Sequence, residues 1–182
     1  MSRKYKFSDQ SKLHFVTFTT VNWIDVFTRD EYRAVLLDSL RYCQTHKGLE
    51  IYAWCMMTNH VHMIIGTNAN KLQFIIRDFK AFTSRSFKEV IAGHPKESRK
   101  NWIIWMMERI GKRNCHNNNW QFWQQDSHPI ELYNSGIMKQ KLEYIHLNPV
   151  RAGFVSKPEN WLYSSALDYA GEKGFLDIIL ID

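Results

Sequence analysis

Two short stretches of this 182-residue chain carry side chains that could do chemistry together. The first is His60-Val61-His62, set in an apolar run over 59–66. Alternation along a strand puts both imidazoles on one face and Val61 and Met63 on the other. Their Cα atoms would lie about 7 Å apart, so the two rings could share one divalent ion. Taken alone, such a pair also fits two half-exposed histidines on a sheet face. The second stretch is QKLEYIHLNPVRAG, Gln140–Gly153. Met138, Leu142 and Ile145 recur by four and three and form the apolar stripe of a helix. Lys141, Tyr144 and Asn148 recur by three and four and form a neighbouring stripe, so Tyr144 sits one turn before Asn148. A boundary tyrosine and a helix-capping asparagine would give the same pattern. Pro149 lacks a backbone donor and disfavours helical geometry at Asn148, so the helix should kink or end there.

The elements that must position these residues follow from periodicity. Leu13–Thr20 alternates and is rich in β-formers, a strand. A helix runs from Arg29 to about Thr45, with Thr28 and Glu31 placed for a capping box and Gly48 as its stop. Leu49–Met57 and His60–Gly66 read as two strands joined by a tight turn at Thr58-Asn59. A helix over Leu72–Ile91 has an apolar stripe of Ile75, Phe79 and Phe82. A second, basic stripe holds Arg77, Lys80, Ser84 and Lys88, either a solvated face or a phosphate-contacting one. Residues 93–119 contain a helix around Trp102–Met107 flanked by a loop. Trp120–Trp123 and Pro129–Tyr133 are short extended pieces, and a helix starts near Ser135. A short helix around Ser164–Ala170 and a closing strand, Phe175–Ile181, complete the chain. The order β-α-β-β-α, followed by a second α/β part, predicts one α+β domain over residues 1–182. Its layout is ferredoxin-like (RRM-like): an antiparallel sheet with helices packed on one face.

Composition narrows the classes. With 45% hydrophobic and 23% charged residues the chain is globular and not disordered. No apolar run reaches the length of a membrane span, and MSRKYKFSDQ has no apolar core of a signal peptide. Cys43, Cys55 and Cys115 are odd in number and scattered, which suits a reducing cytoplasm and forms no disulfide framework. Lys and Arg outnumber Asp and Glu by 24 to 18, a net charge of +6 that favours a polyanionic partner. Aromatic residues at 14% could stack on bases or simply fill the core. The remaining histidines, His14, His46, His94, His116, His128 and His146, have no partner pattern and are expected in surface or loop roles or, for His146, on another helix face. Asp126 and Glu131 could approach the site but are not placed by the sequence.

Taken together, MTNHVHMII (Met57–Ile65) and LEYIHLNPVRAGFV (Leu142–Val155) resemble the single-tyrosine HUH transposases, and within them the REP-associated tyrosine transposases. FWQQDSHPIEL (Phe122–Leu132) and PENWLYSSALDY (Pro158–Tyr169) are similar to the same family. Thr58 departs from the proline that many relatives carry before the Asn-His; it touches the turn and no chemical group. The resemblance implies a ferredoxin-like domain that cleaves and rejoins single-stranded DNA near hairpins through a 5′-phosphotyrosine. It further implies that His60 and His62 hold a divalent ion, Mg²⁺ or Mn²⁺, with Asn148 as a third polar ligand, and that Tyr144 is the nucleophile. A phenol ionises near pH 10, so the hydroxyl needs help from the ion or a base; Lys141, one turn earlier, could stabilise the phenolate or meet DNA. Arg77, Lys80 and Lys88 are candidate contacts to the DNA backbone. The implied partners are single-stranded or hairpin DNA, with no membrane, and the protein would be a monomer or a homodimer. Two competing readings are a replication initiator or relaxase sharing the HUH chemistry, for which 182 residues leave little room, and a regulator that binds nucleic acid without catalysis.

Overall fold

The computed structural model describes residues 7, 9–69, 71–114, 119–125 and 129–181. Cys115, His116, Asn117, Asn118, Asp126 and His128 lie outside them. Strands β1 (His14–Thr19), β2 (Leu49–Met56), β3 (His60–Thr67) and β4 (Ile130–Glu131) form one antiparallel sheet in the order β2-β3-β1-β4. That is the ferredoxin-like order expected from the element sequence.

Alternation sorts the strand residues onto two faces. Val16, Phe18, Trp54, Met56, Val61, Met63 and Ile65 face α1 (Asp30–Lys47), α2 (Leu72–Gly93) and α3 (Lys100–Lys112) in the larger core. Phe15, Ala53, Cys55, Met57 and Ile64 face the other way, where Ile145 of α4 (Ser135–Arg151) completes a smaller core. The helices α1 and α2 thus share one face as expected, and α4 covers the opposite one. A register shift between Ile51 and Ala53 lets both Ile51 and Trp54 reach the larger core. The β2–β3 hairpin closes with Met57 N–H donating to His60 O at 2.8 Å, leaving Thr58-Asn59 as the turn. Among the described residues no helix is long and apolar enough to cross a membrane.

Several expectations need correction. Helix α1 starts at Asp30 with Arg29 at the N-cap and no side-chain cap, so Thr28 does not cap it; Gly48, at φ +73°, ends it as expected. Phe82 is 55% exposed, and the buried stripe of α2 runs through Ile75, Phe79, Thr83 and Phe87 instead. Helix α4 runs, as expected, a little beyond Asn148, passing through Pro149 to Arg151. So near the C-terminus the proline removes one hydrogen bond, and its buried ring packs in return; Gly153 at φ +76° then ends the run. Phe175–Ile181 is not a strand. Tyr163 and Ser165 already occupy the β2 edge, bonding Met56 N and Trp54 O, and the tail meets that strand through the bond from Ile179 N to Ile51 O, at 3.0 Å.

Candidate active site

The site lies where β1, the β2–β3 turn and α4 meet. Register places Thr17 opposite His62 and Thr19 opposite His60. The Thr17 hydroxyl therefore lies 2.8 Å from His62 Nδ1. Asn59, at the turn, sits 2.6 Å from His60 Nδ1 through its Oδ1, while its Nδ2 donates to Trp23 O at 3.1 Å. That division of the amide makes His60 Nδ1 the donor and leaves Nε2 as the ring's lone-pair nitrogen. The two imidazole centroids are 4.6 Å apart.

Helix α4 begins at Asn134, whose side chain accepts from Ile137 N at 2.8 Å. Ile145 anchors the helix on the sheet, which aims Tyr144 at His62 with ring centroids 5.1 Å apart. One turn later the Asn148 side chain comes up beside His60. Phe15 stacks on His62 at 5.5 Å and meets Tyr144 edge-on at 5.9 Å, so it packs the two rings together from below. The Lys141 ammonium lies over the Phe15 and Tyr144 rings, 4.8 and 5.7 Å from their centroids, and the Arg151 guanidinium is 6.0 Å from the Tyr144 ring.

Electrostatics leaves both histidines neutral at pH 7. Burial, then the nearby His60 and Lys141, pushes His62 down to about 3. Burial also lowers His60, opposed by the neighbouring Asn148 side chain. A neutral imidazole with Nδ1 tied by a neighbour offers Nε2 to a metal, so the donor chemistry fits a divalent ion. Among the described residues no three His, Cys, Asp or Glu side chains gather. Asn148 is an amide oxygen donor near the pair, and a set of two imidazoles and one amide would leave positions open for phosphate and water oxygens.

The structure brings His60, His62, Tyr144, Asn148 and Lys141 together. It leaves Arg77, Lys80 and Lys88 on the far face of the sheet. There Arg77 bonds Asp78 and covers Phe74, Lys80 donates to Gln124 O at 2.8 Å, and Lys88 pairs with Glu108 and lies over Trp120. Glu131 pairs opposite His14 on β4, away from the site. His14 is buried and not a surface residue, His94 is buried beside Tyr32 and Glu31, and His146 bonds Ser165 Oγ at 2.9 Å. Sequence reasoning missed Thr17, Asn59, Phe15 and Trp23. Only the cross-strand register, had it been written out, would have pointed to Thr17.

The site is thus a ferredoxin-like sheet with two histidines of one strand facing a tyrosine on a crossing helix. The family model for "Transposase IS200 like" matches residues 7–108, and the chain belongs to that family. The matched span contains His60 and His62 and ends before α4. A Haemophilus influenzae protein assigned as a REP-associated tyrosine transposase is 27% identical over 126 residues, which cover 68% of this chain and 64% of that protein. The chain therefore matches just under two thirds of the length of that relative. The structure of a REP-associated tyrosine transposase bound to a REP hairpin superimposes with a TM-score of 0.65 at 18% identity, covering 100% of this chain and 94% of the other. At that identity the likeness speaks for the fold.

Proposed function

We propose that the chain is a metal-dependent transposase that cleaves and rejoins single-stranded DNA beside a hairpin, with Tyr144 as nucleophile. The observation that supports this best is the meeting of Tyr144 with His62, ring centroids 5.1 Å apart, from segments about eighty residues apart in sequence. The phenol oxygen attacks phosphorus, the bond from phosphorus to the 3′ oxygen breaks, and that oxygen leaves as a hydroxyl carrying a proton. The 5′-phosphotyrosine keeps the ester energy, so attack by a 3′-hydroxyl rejoins a strand without a nucleotide triphosphate. His60, His62 and Asn148 would hold a magnesium or manganese ion. Such an ion, when bound, neutralises charge on a non-bridging phosphate oxygen. Thr17 and Asn59 hold the imidazoles in one tautomer and orientation. Lys141 puts a positive charge beside the ring on which phenolate charge develops. The solved relative was bound to a REP hairpin, and hairpin DNA is the substrate class we infer here.

The test is incubation with single-stranded DNA from the borders of its own gene, with manganese, followed by a denaturing gel. Wild type should carry a covalent DNA adduct. Tyr144→Phe should carry none while keeping fold and DNA binding. An adduct on Tyr144→Phe would refute the nucleophile, and no adduct on wild type would leave the non-catalytic regulator as the better reading.

A further inference from the structure

Between β1 and α1 the backbone does something costly. Asn22 and Trp23 are consecutive, neither is glycine, and both lie in the left-handed region, at φ +53° and +56°. A bulky residue there is an outlier, and such strain persists only where the surroundings hold it. The surroundings do hold it. Val21 N donates to Phe122 O at 2.8 Å, Trp23 N to Thr20 O at 3.1 Å, and Trp23 O accepts from Asn59. The result runs against the hydrophobic effect: Val21, Ile24 and Val26 are buried, yet Trp23 is 57% exposed. It stands edge-on to His60 with centroids 5.7 Å apart. Asn59 links the two, since its amide holds both Trp23 O and His60 Nδ1. The exposed ring is thus fixed beside the catalytic face.

Next to Trp23 a shallow groove of about 560 Å³ opens, lined by Asn22, Arg113, Asn114, Gln121, Gln124 and Gln125. Among the described residues no carboxylate lines it. Its floor is built, because Gln124 N bonds Thr19 O at 2.8 Å and Gln121 N bonds Met107 O at 3.2 Å. Gly111 lets the 119–125 segment lie against α3: a Cβ there would stand 2.2 Å from Trp120 N. The amides are set by neighbours, Asn114 Nδ2 donating to Gln121 Oε1 at 3.1 Å and Gln124 Nε2 to Thr20 O at 3.4 Å.

We propose that Trp23 and this groove form a recognition subsite for the unpaired bases next to the cleaved phosphate. It rests on the single-stranded DNA reading above and adds where the sequence is read. An exposed indole on a backbone held in place is a platform for one base. Asparagine and glutamine match the paired donor and acceptor edges of bases, which are accessible only when unpaired or in a groove. Arg113, a guanidinium in the groove wall, suits a backbone phosphate. Amides outnumber charges, so the groove is suited to reading and less to general electrostatic capture.

The test compares a labelled DNA hairpin carrying short unpaired flanks from the borders of its gene with the same hairpin blunt-ended, by fluorescence anisotropy without added metal. Trp23→Ala should cut the affinity gained from the flanks by about tenfold, the effect of one stacked base, and leave blunt-hairpin binding unchanged. Trp23→Phe should recover most of that loss, which a purely structural role for the indole would not predict. Gln121→Ala and Gln124→Ala should flatten the preference among randomised flanks. Arg113→Ala should instead lower the salt slope by about one with the preference intact. Equal flank gains for wild type and Trp23→Ala would overturn the subsite even if the adduct forms. Loss of the flank gain in Trp23→Ala without any adduct on wild type would uphold the subsite and overturn the catalytic reading.

Discussion

Thr17→Val is the sharpest perturbation of the proposed metal site, because it removes one hydroxyl and keeps the β-branched shape that β1 favours. The hydroxyl sits 2.8 Å from His62 Nδ1, in register across the β1–β3 pair. Losing that bond costs about 1 kcal/mol of folding stability, a fall in Tm of about 2–4 °C for a domain of this size. The larger effect falls on the ring. His62 is 5% exposed and stacked on Phe15, so it cannot find water as a substitute partner, and its orientation and tautomer lose their support. Loss of an outer partner of a ligating histidine typically weakens metal binding 10–100-fold, or about 1.4–2.8 kcal/mol. Manganese affinity measured by calorimetry should therefore fall by one to two decades in Thr17→Val. Adduct formation should be slow at low manganese and recover at saturation. Thr17→Ser, which keeps the hydroxyl, should behave nearly as wild type. A folded Thr17→Val protein with wild-type manganese affinity would refute the argument that Thr17 sets His62.

Glu97 is 1% exposed at its side chain and lies between Arg29, at 2.8 Å, and Arg99, at 3.3 Å. Burial alone would raise its pKa, but the bonds from Arg29 and from the Arg99 backbone and side chain outweigh it and bring it from 4.5 down to about 2. That difference is worth about 3 kcal/mol, fully present above the unfolded value near 4.5 and lost as pH falls through about 2. Urea melts of Glu97→Gln should show a deficit of that order at pH 7 that shrinks towards pH 2, and a deficit independent of pH would contradict the assignment. Gly111→Ala would set a methyl against the backbone of Asn119 and Trp120, so thermal melts should report a loss of about 1–3 kcal/mol or more; an unchanged Tm would mean that this approach is not tight. Replacing Arg77, Lys80 and Lys88 together by alanine should flatten the salt dependence of DNA binding by no more than about one, since Lys80 is tied to Gln124 O and Lys88 shares its charge with Glu108. Flattening by about three would restore the whole stripe as a phosphate-binding face.

Local sequence determined the parts of this protein that depend on near neighbours along the chain. Strand alternation put His60 and His62 on one face, helical spacing put Tyr144 one turn before Asn148, and Gly48 ended α1, because periods of two and 3.6 residues are properties of the backbone itself. The strand order followed as well, since short hairpins and crossovers leave few topologies open. Tertiary structure decided what the segments mean to one another. It laid α4 on the face opposite α1 and α2, so that Tyr144 meets His62 across about eighty residues. Cross-strand register chose Thr17 as the partner of His62, and a hairpin turn made Asn59 hold both His60 and Trp23. Basic residues on α2 that shared a stripe in sequence were turned to partners from α3 and the segment after it, because a long side chain spends its charge on the nearest acceptor that folding supplies. The exposed Trp23 is the extreme case: its left-handed backbone is set by bonds to Thr20, Phe122 and Asn59, and no local propensity would place an indole there.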